Sequence, residues 1–261
     1  MKKATLFAAA LFMGTAALSA EANETLRIGA TPVPHAEILE FVKPMLAKQG
    51  VDLNIVEFND YVQPNLATSD NDIDGNFFQH RPYLESFIME HGVDLQEVVG
   101  VHIEPMGVYS KSLKNIQEVK ERSTIAIPND PTNCGRALLL LQSAGLITLE
   151  DPKSIVATPL DIKSNPKNLD IRELEAPQLP RSLDEVAFAV INTNYAIQAD
   201  LNPLKDAIYI ENSDSPYVNI LVGNGDSAVK PVMQKLKEAL TSKATRDFIN
   251  QKYNGAVVPA F

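Results

Sequence analysis

The chain has 261 residues, of which 45% are hydrophobic, and its formal net charge is −10. This length is enough for one large or two ordinary domains with a sizeable core. The acidic balance argues against nucleic acid or an anionic membrane surface as a partner. The single cysteine, Cys134, excludes an internal disulfide framework.

Residues 1–22 have the pattern of a signal peptide. Lys2 and Lys3 precede an apolar run from Ala4 to Leu18, and small residues follow in Ser19-Ala20-Glu21-Ala22. The apolar run is too short for a comfortable membrane span, and it contains no cysteine that could carry a lipid. We therefore predict a periplasmic protein that is soluble after signal-peptide cleavage and has no lipobox cysteine.

Beyond the leader, strand-like and helix-like apolar patterns alternate along the chain. The predicted strands are Leu26 to Ala30, Leu53 to Phe58, Ile73 to Phe77, Val98 to His102, Ser123 to Ile127, Asp170 to Leu174, Val186 to Ile191, Ala207 to Ile210 and Tyr217 to Val222. The predicted helices are Ala36 to Lys48, Tyr61 to Thr68, one that ends near Gly92, Ile116 to Lys120, Ala137 to Ala144, Asn192 to Ala199, Val229 to Leu240 and Arg246 to Asn254. This alternation predicts an α/β fold with mostly parallel sheets, whose ligands bind beyond the carboxyl ends of the strands.

A cluster of aromatic and basic residues marks one predicted strand-to-helix corner. Phe77 and Phe78 are adjacent, so alternation along a strand would send one into the core and the other toward a cleft. His80 and Tyr83 flank Pro82, which suits the first turn of a helix. Backbone N–H groups at a helix start lack partners, so a ligand can bind there. The alternative is two core aromatics and a surface histidine.

Arginine and asparagine residues supply the candidate polar anchors. Arg136 is predicted to open an apolar helix, where the macrodipole does not favour a cation, so an anionic partner is expected. That partner is either a ligand carboxylate or a structural carboxylate of the chain. Asn192 begins a predicted helix and either caps it or binds a ligand. Asn219 lies inside an apolar strand and needs partners if it is buried, which a ligand could provide.

Two other classes of protein are weighed and disfavoured. The four histidines, His35, His80, His91 and His102, do not have the spacing of a zinc site, which argues against a metal-binding carrier. The sequence has neither a Gly-x-Ser-x-Gly elbow nor a His-Glu-x-x-His motif, which argues against a hydrolase. We predict no catalytic residue, no metal and no cofactor.

Five motifs, in order along the chain, resemble the MetQ/NlpA family of methionine-binding proteins of ABC importers. They are Ile28-Gly29-Ala30-Thr31-Pro32 with Pro34-His35-Ala36-Glu37-Ile38-Leu39, Asn76-Phe77-Phe78-Gln79-His80 with Pro82-Tyr83-Leu84, Ile127-Pro128-Asn129-Asp130-Pro131-Thr132-Asn133 with Gly135-Arg136-Ala137-Leu138, Val190-Ile191-Asn192-Thr193-Asn194-Tyr195-Ala196, and Ser215-Pro216-Tyr217-Val218-Asn219-Ile220. The resemblance spans essentially the whole chain after the leader.

The resemblance implies a two-lobed periplasmic binding protein fold of type II-like architecture, with two crossovers between the lobes. Residues 23–105 and 220–261 would form lobe 1, and residues 106–219 would form lobe 2. Each lobe would be a mostly parallel sheet flanked by helices.

The resemblance also implies a function without catalysis. The protein would bind methionine between its lobes and deliver it to an ABC importer permease in the inner membrane, as a monomer. Arg136 would hold the amino acid carboxylate, Asn192 and Asn219 would fix the polar end, and the side-chain pocket would be lined by Tyr61, Phe77, Phe78, His80 and Tyr83. An aromatic pocket suits a thioether. Another amino acid or a short peptide is the main alternative ligand.

Overall fold

The structure, a computed structural model, describes residues 23–212 and 215–261. The predicted signal peptide, residues 1–22, lies outside the described residues. The strands are β1 Glu24–Ala30, β2 Val51–Glu57, β3 Gly75–His80, β4 Leu95–Ile103, β5 Gly107–Tyr109, β6 Thr124–Pro128, β7 Thr148–Leu149, β8 Ile162–Ser164, β9 Asp170–Leu174, β10 Phe188–Ile191, β11 Ala207–Ile210, β12 Val218–Asn224 and β13 Val258–Pro259. The α-helices are α1 Glu37–Ala47, α2 Gln63–Ser69, α3 Arg81–His91, α4 Pro131–Ser143, α5 Leu179–Ser182, α6 Thr193–Gln198, α7 Pro231–Leu240 and α8 Lys243–Tyr253. None of the helices in these ranges is long and apolar enough to cross a membrane.

Two large sheets define the two lobes. Lobe 1 contains the six-stranded sheet with strand order β13-β4-β12-β3-β1-β2, and lobe 2 contains the five-stranded sheet with order β11-β5-β10-β6-β9. The chain passes from lobe 1 to lobe 2 between β4 and β5 and returns between β11 and β12. The predicted two-lobed α/β fold is confirmed.

The two sheets are mixed, which corrects the prediction of mostly parallel sheets. In lobe 1, β1 is parallel to β2 and β3, but β12 is antiparallel to both β3 and β4. In lobe 2, β6 is parallel to β9 and β10, whereas β5 is antiparallel to β10 and β11. The antiparallel pairs of β5 and β12 arise where the chain crosses between the lobes, because each of these strands follows a crossing and enters its sheet without a βαβ unit.

Alternation along β3 separates the two adjacent phenylalanines as predicted. Phe77 packs in the core between the lobe 1 sheet and the helices α1 and α7. Phe78 belongs to a separate cluster on the other face, with Tyr83 and Phe87 of α3. Because β3 continues through His80, whose partner in β12 is Asn219, the strand ends three residues later than predicted.

Two helix starts bring polar side chains to the space between the lobes. His80 is the N-cap of α3, since its side chain accepts a hydrogen bond from the backbone N–H of Tyr83. Asp130 caps α4 by accepting from the backbone N–H of Asn133, and Pro131 stands in the first turn. The helix therefore begins six residues before the predicted start, and Arg136 lies in its second turn rather than at its end.

Candidate functional site

A cavity lies between the two lobes. It opens beyond the carboxyl ends of β3 and β10, as the sequence predicts for an α/β sheet. The cavity is lined by Tyr61, Phe78, Gln79, His80, Tyr83, Glu104, Asn133, Arg136, Asn192, Thr193, Asn194 and Asn219.

The structure brings seven of the eight predicted site residues to this cavity. The exception is Phe77, which is fully buried and packs edge-on against His35 and His102 with ring centroids 4.8 and 5.4 Å away. It supports the cavity from the core of lobe 1 and does not belong to its wall. Alternation along the predicted strand shows that one of the two phenylalanines faces the core, but it does not show which one.

His80 links the two lobes across the cavity. Its Nδ1 accepts the backbone N–H of Tyr83 at 3.1 Å, so the ring proton lies on Nε2. Nε2 lies 3.1 Å from Oδ1 of Asn133 in lobe 2 and donates to it. Burial, followed by the positive charge of Arg136, lowers the pKa of His80 to about 3. His80 is therefore a neutral donor whose single N–H is already used.

The aromatic wall consists of Tyr61, Phe78 and Tyr83. Their rings approach each other at centroid distances of 5.9 to 6.0 Å. The hydroxyl of Tyr61 donates to Oδ1 of Asn194 in lobe 2 at 2.6 Å, and that of Tyr83 donates to the backbone oxygen of Tyr61 at 2.8 Å. Both hydroxyls are therefore engaged, and the side of the cavity that they form is largely apolar.

Arg136 lines the cavity but is already paired with a carboxylate of the chain. Its Nε and Nη2 donate to the two carboxylate oxygens of Glu211, and Nη2 also donates to the backbone oxygen of Glu104 at 2.7 Å. The guanidinium stacks on Tyr217, with 4.2 Å between its carbon atom and the ring centroid. The guanidinium has five N–H donors, so it can bind a ligand carboxylate in addition to the carboxylate of Glu211. The structure is therefore compatible with both partners that the sequence analysis considered.

Two asparagines of lobe 2 present polar atoms without protein partners. Nδ2 of Asn192 donates to Asn133 at 2.9 Å, which leaves Oδ1 buried without a hydrogen bond. Asn194 has the opposite arrangement, since its Oδ1 accepts from Tyr61 and its Nδ2 has no partner. Buried polar atoms are normally hydrogen-bonded. One free acceptor and one free donor at the cavity wall therefore indicate a ligand that carries both kinds of group.

Glu104 is the principal residue that the sequence analysis missed. It lies in the first crossing between the lobes, is 6% exposed and lines the cavity. Its Oε1 is 2.7 Å from Nε2 of His102 and 3.3 Å from Nε2 of His35. Burial raises the pKa of Glu104, whereas His35 and Arg136 lower it. An acidic residue directly after an apolar strand and before Pro105 was the available signal.

His35, His102 and Glu104 form the one group in the described ranges whose ligand atoms converge closely enough to hold a metal ion, all within 4.8 Å. The separation of 2.7 Å between Glu104 and His102 fits a hydrogen bond. If His102 bound a metal through Nε2, its proton would move to Nδ1, which is buried without a partner. The group therefore fits a hydrogen-bonded cluster better than a metal site.

Solved structures with the same fold support the comparison of this cavity with known binding proteins. One is a nutrient-binding protein from Burkholderia cenocepacia bound to methionine, which is 42% identical, covers 90% of this chain and all of that one, and has a TM-score of 0.88. Another is an ABC transporter periplasmic substrate-binding protein from Coxiella burnetii, which is 41% identical with the same coverage and a TM-score of 0.86.

A relative from Salmonella typhi corrects one of our predictions. It is 50% identical over 213 residues, which cover 81% of this chain and 79% of the relative, and it is named D-methionine-binding lipoprotein MetQ. Its description as a lipoprotein contradicts our prediction of a soluble periplasmic protein without a lipobox cysteine. That prediction was wrong because it inferred how the whole protein is anchored from the absence of a cysteine in the leader alone.

The sequence model of one family matches residues 26–261, nearly the whole of the described chain. Its description, NlpA lipoprotein, agrees with the name of the Salmonella relative and with the motifs that the sequence analysis singled out. The match includes both crossings between the lobes and every residue that lines the cavity. This chain belongs to the NlpA lipoprotein family.

Proposed function

We propose that this protein is the substrate-binding protein of an ABC importer and that it binds methionine between its lobes. The observation that carries the proposal is the cavity between the lobes, which has an aromatic wall on one side and unpaired polar atoms on the other. The Burkholderia protein of the same fold was solved with methionine bound, and the Salmonella relative is named for D-methionine. No group in the cavity needs to act as a catalyst for this role.

The polar side of the cavity suits the zwitterionic end of an amino acid. We assign the ligand carboxylate to Arg136, which retains N–H donors beyond those given to Glu211, and to the unpaired Nδ2 of Asn194. We assign the ammonium group to Glu104 and to the unpaired Oδ1 of Asn192. Each charged group of the ligand would then meet an opposite charge and a matching hydrogen-bond partner.

The aromatic side suits an unbranched apolar side chain. Phe78, Tyr61 and Tyr83 offer ring faces and edges, and sulfur makes favourable contacts with both. Asn219, on β12, also lines the cavity, and we assign it to the polar end of the ligand together with Asn192. Another amino acid or a short peptide remains the alternative ligand.

Binding between the lobes gives the permease a signal to recognise. Direct contacts already join the lobes, including Tyr61 to Asn194 and the hydroxyl of Tyr195 to the backbone oxygen of Asn59. A ligand that bridges the lobes would favour this closed arrangement by its contacts on both sides. We propose that the closed form docks on the importer permease and releases methionine there.

The lobe boundaries and the leader remain proposals. We place residues 23–105 and 220–261 in lobe 1 and residues 106–219 in lobe 2. Strand membership supports both divisions to within a few residues, because β4 ends at Ile103 and β12 begins at Val218. We further propose that residues 1–22 direct export, on the strength of their basic, apolar and small-residue pattern.

Titration calorimetry on protein that has been unfolded and refolded to remove bound ligand tests the proposed function. We expect L- or D-methionine to bind tightly and leucine, alanine and a glycyl-methionine dipeptide to bind at least tenfold more weakly. Native mass spectrometry of protein purified without unfolding identifies the ligand acquired in the cell. Recovery of a dipeptide or another amino acid, with no methionine binding in the titration, would refute the proposal.

A further inference from the structure

A row of buried polar side chains lies behind the cavity on the lobe 1 side. Thr31 and His35 follow β1, and Oγ1 of Thr31 is 2.7 Å from Nδ1 of His35. On the other side of the ring, Nε2 of His35 lies 3.0 Å from Oδ1 of Asn219 and 3.3 Å from Oε1 of Glu104. Asn219 and Glu104 line the cavity, whereas His35 is 1% exposed and lies behind them.

The surroundings of His35 determine which ring nitrogen carries the proton. Nε2 faces two oxygen atoms, and an ionised carboxylate can only accept hydrogen bonds. A lone pair on Nε2 would be repelled by Glu104, whereas an N–H at this position satisfies both neighbours. Nδ1 is then an acceptor for the Thr31 hydroxyl. Burial lowers the pKa of His35 to about 4, which is consistent with a neutral ring at neutral pH.

The proton on Nε2 also determines the orientation of the Asn219 amide. An amide side chain can turn by half a rotation about its terminal bond, which exchanges its oxygen and its nitrogen at nearly the same positions. Donation from His35 requires the oxygen of Asn219 on the inner side. The two N–H donors of Nδ2 then face away from His35.

We propose that His35 is a positioning residue, which holds the Asn219 amide so that its N–H groups bind an acceptor of the ligand. The acceptor class is a carboxylate, and this part rests on the proposed function. Thr31 completes the row, because its hydroxyl keeps Nδ1 of His35 unprotonated. His102 acts in parallel on Glu104, since its Nε2 lies 2.7 Å from the same carboxylate oxygen.

Ligand titrations on single and double variants test the proposal. His35→Leu should weaken methionine binding at least tenfold, because the Asn219 amide is then free to turn. His35→Gln should bind within about threefold of wild type, since the Gln amide can place an N–H near the position of Nε2. In the Asn219→Ala background, His35→Leu should cause little further loss, because the side chain that His35 positions is absent. Independent, multiplying losses would overturn the proposal, as would near-native binding by His35→Leu.

A matched control and a measurement on the unaltered protein keep the result interpretable. His91→Leu changes an exposed histidine at the end of α3 and should leave binding unchanged. In wild-type protein labelled with ¹⁵N-histidine, the ring shifts of His35 should report a protonated Nε2 and an unprotonated Nδ1. The opposite tautomer would overturn the proposal even if His35→Leu failed to fold. Absence of methionine binding by wild type would instead refute the proposed function, and the tautomer would still decide the role of His35.

Discussion

His80 of lobe 1 donates its single ring N–H to Asn133 of lobe 2 across 3.1 Å, while its other ring nitrogen caps helix α3. One side chain therefore has two separable roles, a structural role at a helix end and a bridging role between the lobes. The two roles use different nitrogens, so substitutions can distinguish them.

We expect His80→Asn to retain the cap, because asparagine is a good N-cap residue, but to be too short to reach Asn133. His80→Ala removes both interactions and should have a free energy of unfolding about 1 kcal/mol lower than His80→Asn. Both variants should weaken methionine binding to a similar extent. Chemical denaturation and calorimetry measure the two quantities.

Ser242 provides the control for the cap of α3. Its side chain caps α8, far from the cavity, by accepting from the backbone N–H of Thr245 at 3.2 Å. Ser242→Ala should cost about 1 kcal/mol of stability without affecting binding. If His80→Asn binds methionine as tightly as wild type, the hydrogen bond from His80 to Asn133 does not stabilise the ligand-bound form.

Arg136 is predicted to dominate the polar end of the ligand. Arg136→Ala should weaken methionine binding by about 3–5 kcal/mol, since the ligand carboxylate would be buried without its partner. Arg136→Lys should recover part of this loss, because an ammonium group lacks the planar fork of a guanidinium. Calorimetry on refolded, ligand-free protein gives the affinities.

Glu211 distinguishes ligand binding from the salt bridge within the chain. If Arg136 acts through the ligand, Glu211→Gln should retain most of the binding, because the guanidinium remains in place over Tyr217. A loss in Glu211→Gln as large as that in Arg136→Ala would mean that the internal pair, and not a ligand contact, accounts for the effect.

Glu104 is predicted to recognise the ligand ammonium group. Glu104→Gln should weaken methionine binding by about 1.5–3 kcal/mol, the typical contribution of a hydrogen bond to a charged group. The analogue 4-(methylthio)butanoate has the same carboxylate and thioether but no ammonium group. Its affinity, measured by calorimetry, should be weak for wild type and nearly the same for the variant. An equal loss for both ligands would assign Glu104 a structural role.

Protonation of His80 predicts a pH dependence of stability. Its pKa is about 3 in the folded protein, lowered by burial, compared with 6.5 in its ordinary state. Between these values the unfolded chain binds more protons than the folded one, so this histidine's contribution to stability falls as the pH falls. The buried carboxyl groups Glu104 and Asp130 have raised pKa values and act in the opposite direction.

A comparison of variants isolates the contribution of His80 to the pH dependence of stability. The stability difference between wild type and His80→Gln should shift in favour of the variant as the pH is lowered from 7 to 5, measured by denaturant unfolding at each pH. The difference between wild type and Ser242→Ala, which involves no titrating side chain, should stay constant. A constant difference for His80→Gln as well would mean that the imidazole has the same pKa in the folded and the unfolded protein.

Most of the fold could be predicted because apolar periodicity marks elements such as β1 and α7 directly. The mixed sheet direction could not, because the pairing of β12 with β3 and β4 joins segments that are far apart in the sequence. The start of α4 was missed because Asp130 and Pro131 read equally well as a turn, and only the hydrogen bond to Asn133 shows that they begin a helix.

The residues of the candidate site also divide into those that the local sequence marks and those that depend on contacts between distant segments. Arg136 and Asn219 were identifiable because a charge beside an apolar helix, or an amide inside an apolar strand, conflicts with its surroundings. Glu104 and His35 were not, since each is a single acidic or basic residue outside the predicted strands and helices until the fold brings them together at 3.3 Å. Asn194 falls within the predicted helix Asn192 to Ala199, but its unpaired donor depends on the contact with Tyr61.

The side chain of the ligand provides the last prediction. Norleucine replaces the sulfur of methionine by a methylene group of similar volume, so it loses mainly the contact between sulfur and the aromatic rings, roughly 0.3–1.5 kcal/mol. We expect it to bind about two- to tenfold more weakly, because about 1.4 kcal/mol corresponds to a factor of ten.

Methionine sulfoxide tests the polarity of the aromatic side more severely. Its oxygen needs a hydrogen-bond donor, yet the N–H of His80 is given to Asn133, and the hydroxyls of Tyr61 and Tyr83 donate elsewhere. The oxygen would be buried without a partner, at a cost of about 1–3 kcal/mol. The expected order of affinity is therefore methionine, norleucine and then the sulfoxide, measured by competition calorimetry. A sulfoxide that binds as well as methionine would show that one of these three donors leaves its protein partner, and the assignment of a thioether pocket would fail.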